Sequence, residues 1–310
     1  MSIEFKHEQI SPGEIHCHRV IRSIASVFSE YQHIEILETQ AYGIGLFLDG
    51  RIQHVQADEY AYSEAMVHPA ITLMKRVPIL VLCIGGGPGG VVRELLKYSD
   101  IQIVQVELDR EVVRLSREYL CHITQGAWEN SRAQLIISDV MDFLVKDRRK
   151  FDLIINDSSE PVEGSHADPL FTRETMYLIK DRLLPGGMYV TWAGSAAPCS
   201  NFISARIFRT VQEVFEHTIP YHFYTQSYGT SWLSLVASQE PLMPFYRCQE
   251  EIDRILSMRI SGELRLYDGQ THGSMFRLPK DIRIALASRQ SEIITLASPL
   301  SVPGKDITLL

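Results

Sequence analysis

The chain has 310 residues, 45% of them apolar and 22% charged, with a formal net charge of −8. A chain this long can bury a substantial core, as one domain or as a core with a smaller satellite. The acidic balance excludes nucleic-acid binding through a basic face and suits a small cationic ligand.

In chain order, the first residues lack the basic-then-apolar order of a signal peptide. No apolar run reaches the ~20 residues of a membrane span, so a cytoplasmic chain without a membrane partner is expected. The run His16, Cys17, His18 resembles a ligand cluster. On a strand, however, His16 and His18 share one face and Cys17 takes the other, so no metal is expected there. The five cysteines are scattered without a CxxC pair, which argues against a disulfide framework. Residues 1–66 read as a small β-rich domain. "HIEILET", "GIGLFLDG" and "RIQHVQAD" are strand-like, and Asp49 and Gly50 form a hairpin signal between the last two. The period then changes, and "EYAYSEAMVHPAITLMK" carries apolar residues at helical spacing.

From "PILVLCIGGG" onward, strands and helices alternate. The apolar run over 77–84 reads as a buried parallel strand. The strands "IQIVQVELD", "AQLIISD", "FDLIINDSS", "MYVTWAG" and "TSWLSLVAS" follow. The helices "VVRELLKYS", "REVVRLSREYL", "VMDFLVKD" and "TRETMYLIKDRLL" lie between them, the last ended by "PGG". This order predicts an α/β, Rossmann-like doubly wound parallel sheet over 67–310, with a ligand crevice at the strand C-termini. Residues 240–310 read as a mixed, polar extension packed on the outside.

The loop Gly85, Gly86, Gly87, Pro88 follows a strand and opens a helix. Glycine there lets a ligand approach the backbone closely. Glu107 ends the next strand, where an acid hydrogen-bonds ribose hydroxyls, and Asp139 ends the third. The fourth strand ends in "NDSSEP", which brings Asp157 and Glu160 over the same crevice. Such an acidic cluster suits a sulfonium donor and an amine acceptor better than a dinucleotide.

Six segments together resemble the spermidine synthase (polyamine aminopropyltransferase) family: "YQHIEI", "LFLDGRIQHVQADEYAYSEAMVH", "VLCIGGGPGGVVREL", "VELD", "FDLIINDSSEPV" and "LRLYDGQTHGSMFRLP". The resemblance implies transfer of an aminopropyl group from decarboxylated S-adenosylmethionine to a small-molecule amine, releasing methylthioadenosine, in a homodimer. It implies that Gln32 and Glu107 hold the ribose and that Asp139 holds the adenine amino group. Asp157 would orient and deprotonate the amine, Tyr62 would act beside it in the acceptor channel, and Tyr228 would stand for a further channel tyrosine. Glu160 would meet a substrate cation.

The departures are concentrated. Pro88 stands where the family has an aspartate beside the donor tail, Ser63 replaces a histidine or glutamine, and Glu160 replaces an aspartate. Proline also suits a loop or first helical turn, so a purely structural substitution is one reading. The other is that the donor keeps its carboxylate, which free amides of the following helix would receive. The donor would then be S-adenosylmethionine itself, and the transferred group 3-amino-3-carboxypropyl or methyl. A methyltransferase and a non-catalytic nucleoside-binding protein remain the alternatives.

Overall fold

The computed structural model of the protein describes residues 4–11, 14–161, 166–197, 201–288 and 291–300. Five strands form the first sheet: β1 (Glu4–Ser11), β2 (Glu14–Phe28), β3 (His33–Thr39), β4 (Gly43–Leu48) and β5 (Arg51–Val55). They lie in chain order and every neighbouring pair is antiparallel. Asp49 and Gly50 both adopt positive φ, +48° and +80°, and so make the two-residue turn expected between β4 and β5.

Helix α1 (Glu59–Leu73) leads into the second sheet, so the boundary drawn at residue 66 falls inside a helix. The elements then alternate: β6 (Leu80–Gly85), α2 (Gly90–Leu96), β7 (Gln102–Glu107), α3 (Arg110–Tyr119), the single turn α4 (Cys121–Thr124), β8 (Ala133–Ile137), α5 (Val140–Lys146) and β9 (Phe151–Asp157). Next come α6 (Arg173–Asp181), β10 (Leu183–Ser195), α7 (Phe202–Val214), β11 (His217–Thr225) and β12 (Thr230–Ser238). The seven strands stand in the order β11-β12-β10-β9-β6-β7-β8. The five from β10 to β8 are parallel, while β12 runs antiparallel to both β10 and β11. The sheet is therefore mixed rather than wholly parallel. Strand β9 is buried at every residue, as a central parallel strand requires.

Two local expectations need correction. Pro185, Gly186 and Gly187 do not cap α6; they lie within β10, where pairing to β9 breaks between Leu183 and Met188. The segment after 240 is not merely an outer layer. It forms α8 (Gln249–Arg259), α9 (Gly269–Met275) and α10 (Lys280–Ala287). Ile252, Tyr267, Met275 and Ile282 from this segment are buried in the main core. Its approach is fixed by the buried carboxylate of Glu64 on α1, which accepts the amides of Arg265, Leu266 and Tyr267 at 2.8–3.0 Å. A buried acid with three donors is well satisfied, and it cannot be removed without orphaning them.

The two sheets share a core. Ile34, Ile36 and Leu46 of the first sheet pack on Val112, Leu115, Leu120 and Ile123 of α3 and its neighbourhood. This contact places β3–β5 over the C-terminal ends of β6, β7 and β9, and closes a crevice into a cavity. No helix among the described residues is long and apolar enough to cross a membrane.

Candidate active site

The cavity measures about 650 Å³ and lies between the two sheets. Among the described residues, its wall holds seven acidic side chains (Glu8, Asp49, Glu107, Asp109, Asp139, Asp157 and Glu160) against a single arginine, Arg51. That balance favours a cationic ligand.

The floor is the glycine loop. Gly85, Gly86, Gly87 and Gly89 have φ of +73°, +92°, +32° and +79°, a region that side chains rarely adopt. A Cβ on Gly85 would stand 2.8 Å from the Asp157 carbonyl oxygen, and one on Gly86 3.2 Å from Asp157 Oδ2. The loop thus folds against the end of β9 as closely as backbone permits. Its amides are already engaged. Gly86 donates to the Asp157 carbonyl at 2.9 Å, Gly87 to Glu107 at 3.3 Å and Gly89 to the Gly86 carbonyl at 2.7 Å. Pro88 has no N–H. None of these loop positions offers a free amide to a donor carboxylate; the amides expected to receive one belong to the first turn of α2, beyond the loop.

Asp157 lies above the loop, 8% exposed. Its Oδ1 accepts the Tyr62 hydroxyl at 2.7 Å, and its Oδ2 is buried without a partner. An orphaned carboxylate oxygen beside a cavity fits a ligand that brings its own donor, as a substrate ammonium does. Burial, reinforced by the neighbouring Glu107 charge, raises the Asp157 carboxyl to about 7, although the Tyr62 hydrogen bond opposes the rise. Glu107 itself is raised to about 7, chiefly by burial, while the amides of Asp109 and Gly87 pull the other way. A carboxyl poised near neutrality within reach of a cavity is suited to proton transfer. The Tyr62 hydroxyl is held well above its ordinary value by burial and by Asp157, so it remains a donor at neutral pH.

The remaining expected residues divide. Gln32 lines the cavity and donates to Asp109 at 3.0 Å, as does Ser29 at 2.6 Å. Asp109 also caps α3 and shares the wall, so it organises the Gln32 and Glu107 side of the site; its position just before a helix was the available signal. Asp139 caps α5, accepting the amides of Met141 and Asp142, and faces the same cavity. Tyr228 packs edge-on to Tyr62 with ring centroids 6.0 Å apart and donates to the Gln53 carbonyl at 2.6 Å. Glu160 is in the wall but is ion-paired by Arg51. Trp192 is a buried wall residue whose ring nitrogen donates to the Ser158 carbonyl at 2.7 Å. His166 is exposed and stacks edge-on to Tyr31.

Ser63 is not part of the wall. It is fully buried on the α2 side of α1, donating to Glu59 at 3.2 Å. A side-chain atom added at Gly90 would meet its hydroxyl at 2.4 Å. Its small size is thus set by helix packing. One further residue emerges only from the structure. His54 lines the cavity with Nδ1 unpartnered, edge-on to Tyr62 at 5.5 Å between centroids. Burial lowers its imidazole to about 4, with Arg93 adding to the effect. Nothing in the strand pattern of "RIQHVQAD" separated it from an ordinary core histidine.

The comparisons with known proteins agree on one family. Residues 59–247 match the model of the spermine/spermidine synthase domain, and residues 5–56 that of the spermidine synthase tetramerisation domain. The chain is 38% identical over 300 residues to polyamine aminopropyltransferase 2 of Hyperthermus butylicus, covering 96% of this chain and 97% of that one. It is 34% identical to the polyamine aminopropyltransferase of a Synechococcus strain, covering 97% and 98%. Among solved structures it is similar to the spermidine synthase of Thermotoga maritima, at 27% identity and a TM-score of 0.81 over 91% of this chain and 94% of that one. A spermidine synthase in complex with the transition-state analogue AdoDATO matches over the same shares with a TM-score of 0.82.

Proposed function

Since this chain belongs to the spermine/spermidine synthase family, we propose that it transfers the aminopropyl group of decarboxylated S-adenosylmethionine to a small-molecule amine. Methylthioadenosine leaves as the second product. The observation that carries this reading is the unpartnered Oδ2 of Asp157, buried beside Tyr62 in a predominantly acidic cavity.

The nitrogen lone pair of the acceptor attacks the carbon next to the sulfonium. The carbon–sulfur bond breaks and its electrons return to sulfur, giving a neutral thioether that needs no acid to leave. The proton lost by the new C–N centre passes to Asp157. Tyr62 holds Oδ1 and leaves Oδ2 to receive the amine. The protein contributes orientation and a charge environment that tolerates two cations at once. Gln32 and Glu107 would hold the ribose and Asp139 the adenine amino group. No metal enters this scheme.

The decarboxylated donor is favoured over S-adenosylmethionine on electrostatic grounds. A donor carboxylate would enter a wall of seven acids and meet amides of Gly86, Gly87 and Gly89 that are already bonded. Pro88 then reads as a backbone choice in the loop. Titrating both donors into the protein by calorimetry tests this. Decarboxylated S-adenosylmethionine should bind more tightly, by roughly tenfold or more for one extra like charge at partial burial. Tighter binding of S-adenosylmethionine would reverse the donor assignment.

The description of the 5–56 model supports an assembly of several chains through the first sheet. Phe28 and Ile21 of β2 are 78% and 55% exposed, an apolar surface consistent with such a contact.

A further inference from the structure

The described residues include four buried histidines: His18, His54, His68 and His272. Three of them are satisfied inside the protein. His18 contacts Glu8 at 2.9 Å, His68 contacts Tyr98 and Glu94 at 2.9 Å each, and His272 contacts Tyr267 at 2.6 Å and the Pro244 carbonyl at 2.7 Å. His54 alone among them leaves a buried ring nitrogen, Nδ1, without a partner, and it alone of the four lines the cavity. Strand β5 places it there. Ile52 and His54 share a buried face of the strand, and the His54 ring meets the Tyr62 ring edge-on. Tyr62 in turn holds Oδ1 of Asp157. Two buried polar atoms without partners, Oδ2 of Asp157 and Nδ1 of His54, thus belong to direct neighbours of one tyrosine.

A buried nitrogen with no partner is costly unless something arrives to meet it. Burial, with Arg93 adding to the effect, lowers the imidazole to about 4, so at neutral pH the ring carries no charge to repel a substrate cation. With its one proton on Nε2, Nδ1 is a hydrogen-bond acceptor. Resting on the transferase reading above, we propose that His54 binds the amine substrate, its Nδ1 accepting an N–H of the acceptor beside Asp157. The cavity then offers the amine a carboxylate and a neutral imidazole close together, and its net acidic lining remains favourable to a second ammonium of the same substrate.

Steady-state kinetics with decarboxylated S-adenosylmethionine and putrescine test this on three variants. His54→Asn keeps a polar atom near the place of Nδ1. His54→Leu has almost the same size with no polar atom, and His54→Phe keeps a ring against Tyr62 without a nitrogen. His54→Leu and His54→Phe should raise KM for putrescine by about tenfold or more, about 1.4 kcal/mol, with kcat changed by less than about threefold. His54→Asn should stay within about threefold of the wild type in both constants. Methylthioadenosine, titrated by calorimetry, should bind the wild type and all three variants alike, which shows that the cavity is folded. Should His54→Phe fail to bind it, the comparison of His54→Asn with His54→Leu decides. A wild-type KM in a folded His54→Phe would make the histidine a packing partner of Tyr62 and overturn the proposal, as would equal losses in His54→Asn and His54→Leu. Absence of turnover in the wild type would count against the transferase reading instead. The role of His54 is then read from calorimetric titration of putrescine into the proteins loaded with methylthioadenosine, where Kd should rise by about tenfold or more in His54→Leu and not in His54→Asn.

Discussion

At the scale of single residues, the site rests on two carboxyls forced towards neutrality by burial. Asp157→Asn preserves volume and the contact with Tyr62 but removes the proton acceptor. Turnover should fall by roughly two to four orders of magnitude while methylthioadenosine still binds; near-normal turnover would reduce Asp157 to a loop anchor. Because the Asp157 carboxyl titrates at about 7 in the protein, kcat/KM for the acceptor should rise as pH passes through that region. Tyr62→Phe removes a hydrogen bond that lowers this value, so the rising limb should move to higher pH, a shift that a purely structural tyrosine would not cause. The same shift has a stability consequence of definite sign. Asp157 moves from an ordinary 3.8 to about 7 on folding, so between those values the folded chain holds the extra proton. Stability is therefore greatest below the lower value and declines as pH rises to the upper one. Denaturant unfolding at pH 5 and pH 8 should show this decline, with a shallower slope in Asp157→Asn. Glu107→Gln should weaken methylthioadenosine binding by about 1–3 kcal/mol, read by calorimetry.

At the scale of elements, the glycine loop and α1 must hold their relative position. Arg93 on α2 bridges Glu59 of α1 at 2.8 and 3.0 Å and contacts Glu94 at 3.0 Å, all buried. Arg93→Met leaves two buried carboxylates short of a cation and should cost about 3–5 kcal/mol in unfolding experiments; a loss below ~1 kcal/mol would mean the pair is screened by water. Gly85→Ala should disturb β9 at Asp157, since both φ and the 2.8 Å approach to a carbonyl forbid a Cβ. These elements were largely legible in the sequence, because continuous apolar runs ending in glycine or acid mark buried parallel strands. Asp157, Glu107 and the loop could be placed for that reason. What escaped had weaker local signals. Strand β11 carries Pro220 and alternates partly buried residues, and α8–α10 bury only one stripe each among polar neighbours. The Arg51–Glu160 pair joins residues 109 positions apart, and the orphaned nitrogen of His54 is a matter of packing; neither has a sequence pattern. The small size of Ser63 is likewise a matter of packing, since helix α2, not the cavity, fixes it.

At the scale of the whole molecule, two sheets close on one cavity, and shared packing between β3–β4 and α3 keeps it closed. The first sheet also exposes Phe28 and Ile21. If it mediates assembly, Ile21→Lys with Phe28→Lys should lower the mass measured by light scattering, whereas an unchanged mass would move the contact elsewhere. The central claim concerns what the closed cavity does. It is tested most directly by incubating the protein with decarboxylated S-adenosylmethionine and a short primary amine, then identifying the nucleoside and amine products by mass spectrometry. Methylthioadenosine should appear one for one with an aminopropylated amine, and Asp157→Asn should suppress both. Release of S-adenosylhomocysteine from S-adenosylmethionine in parallel incubations, with no methylthioadenosine from the decarboxylated donor, would contradict it.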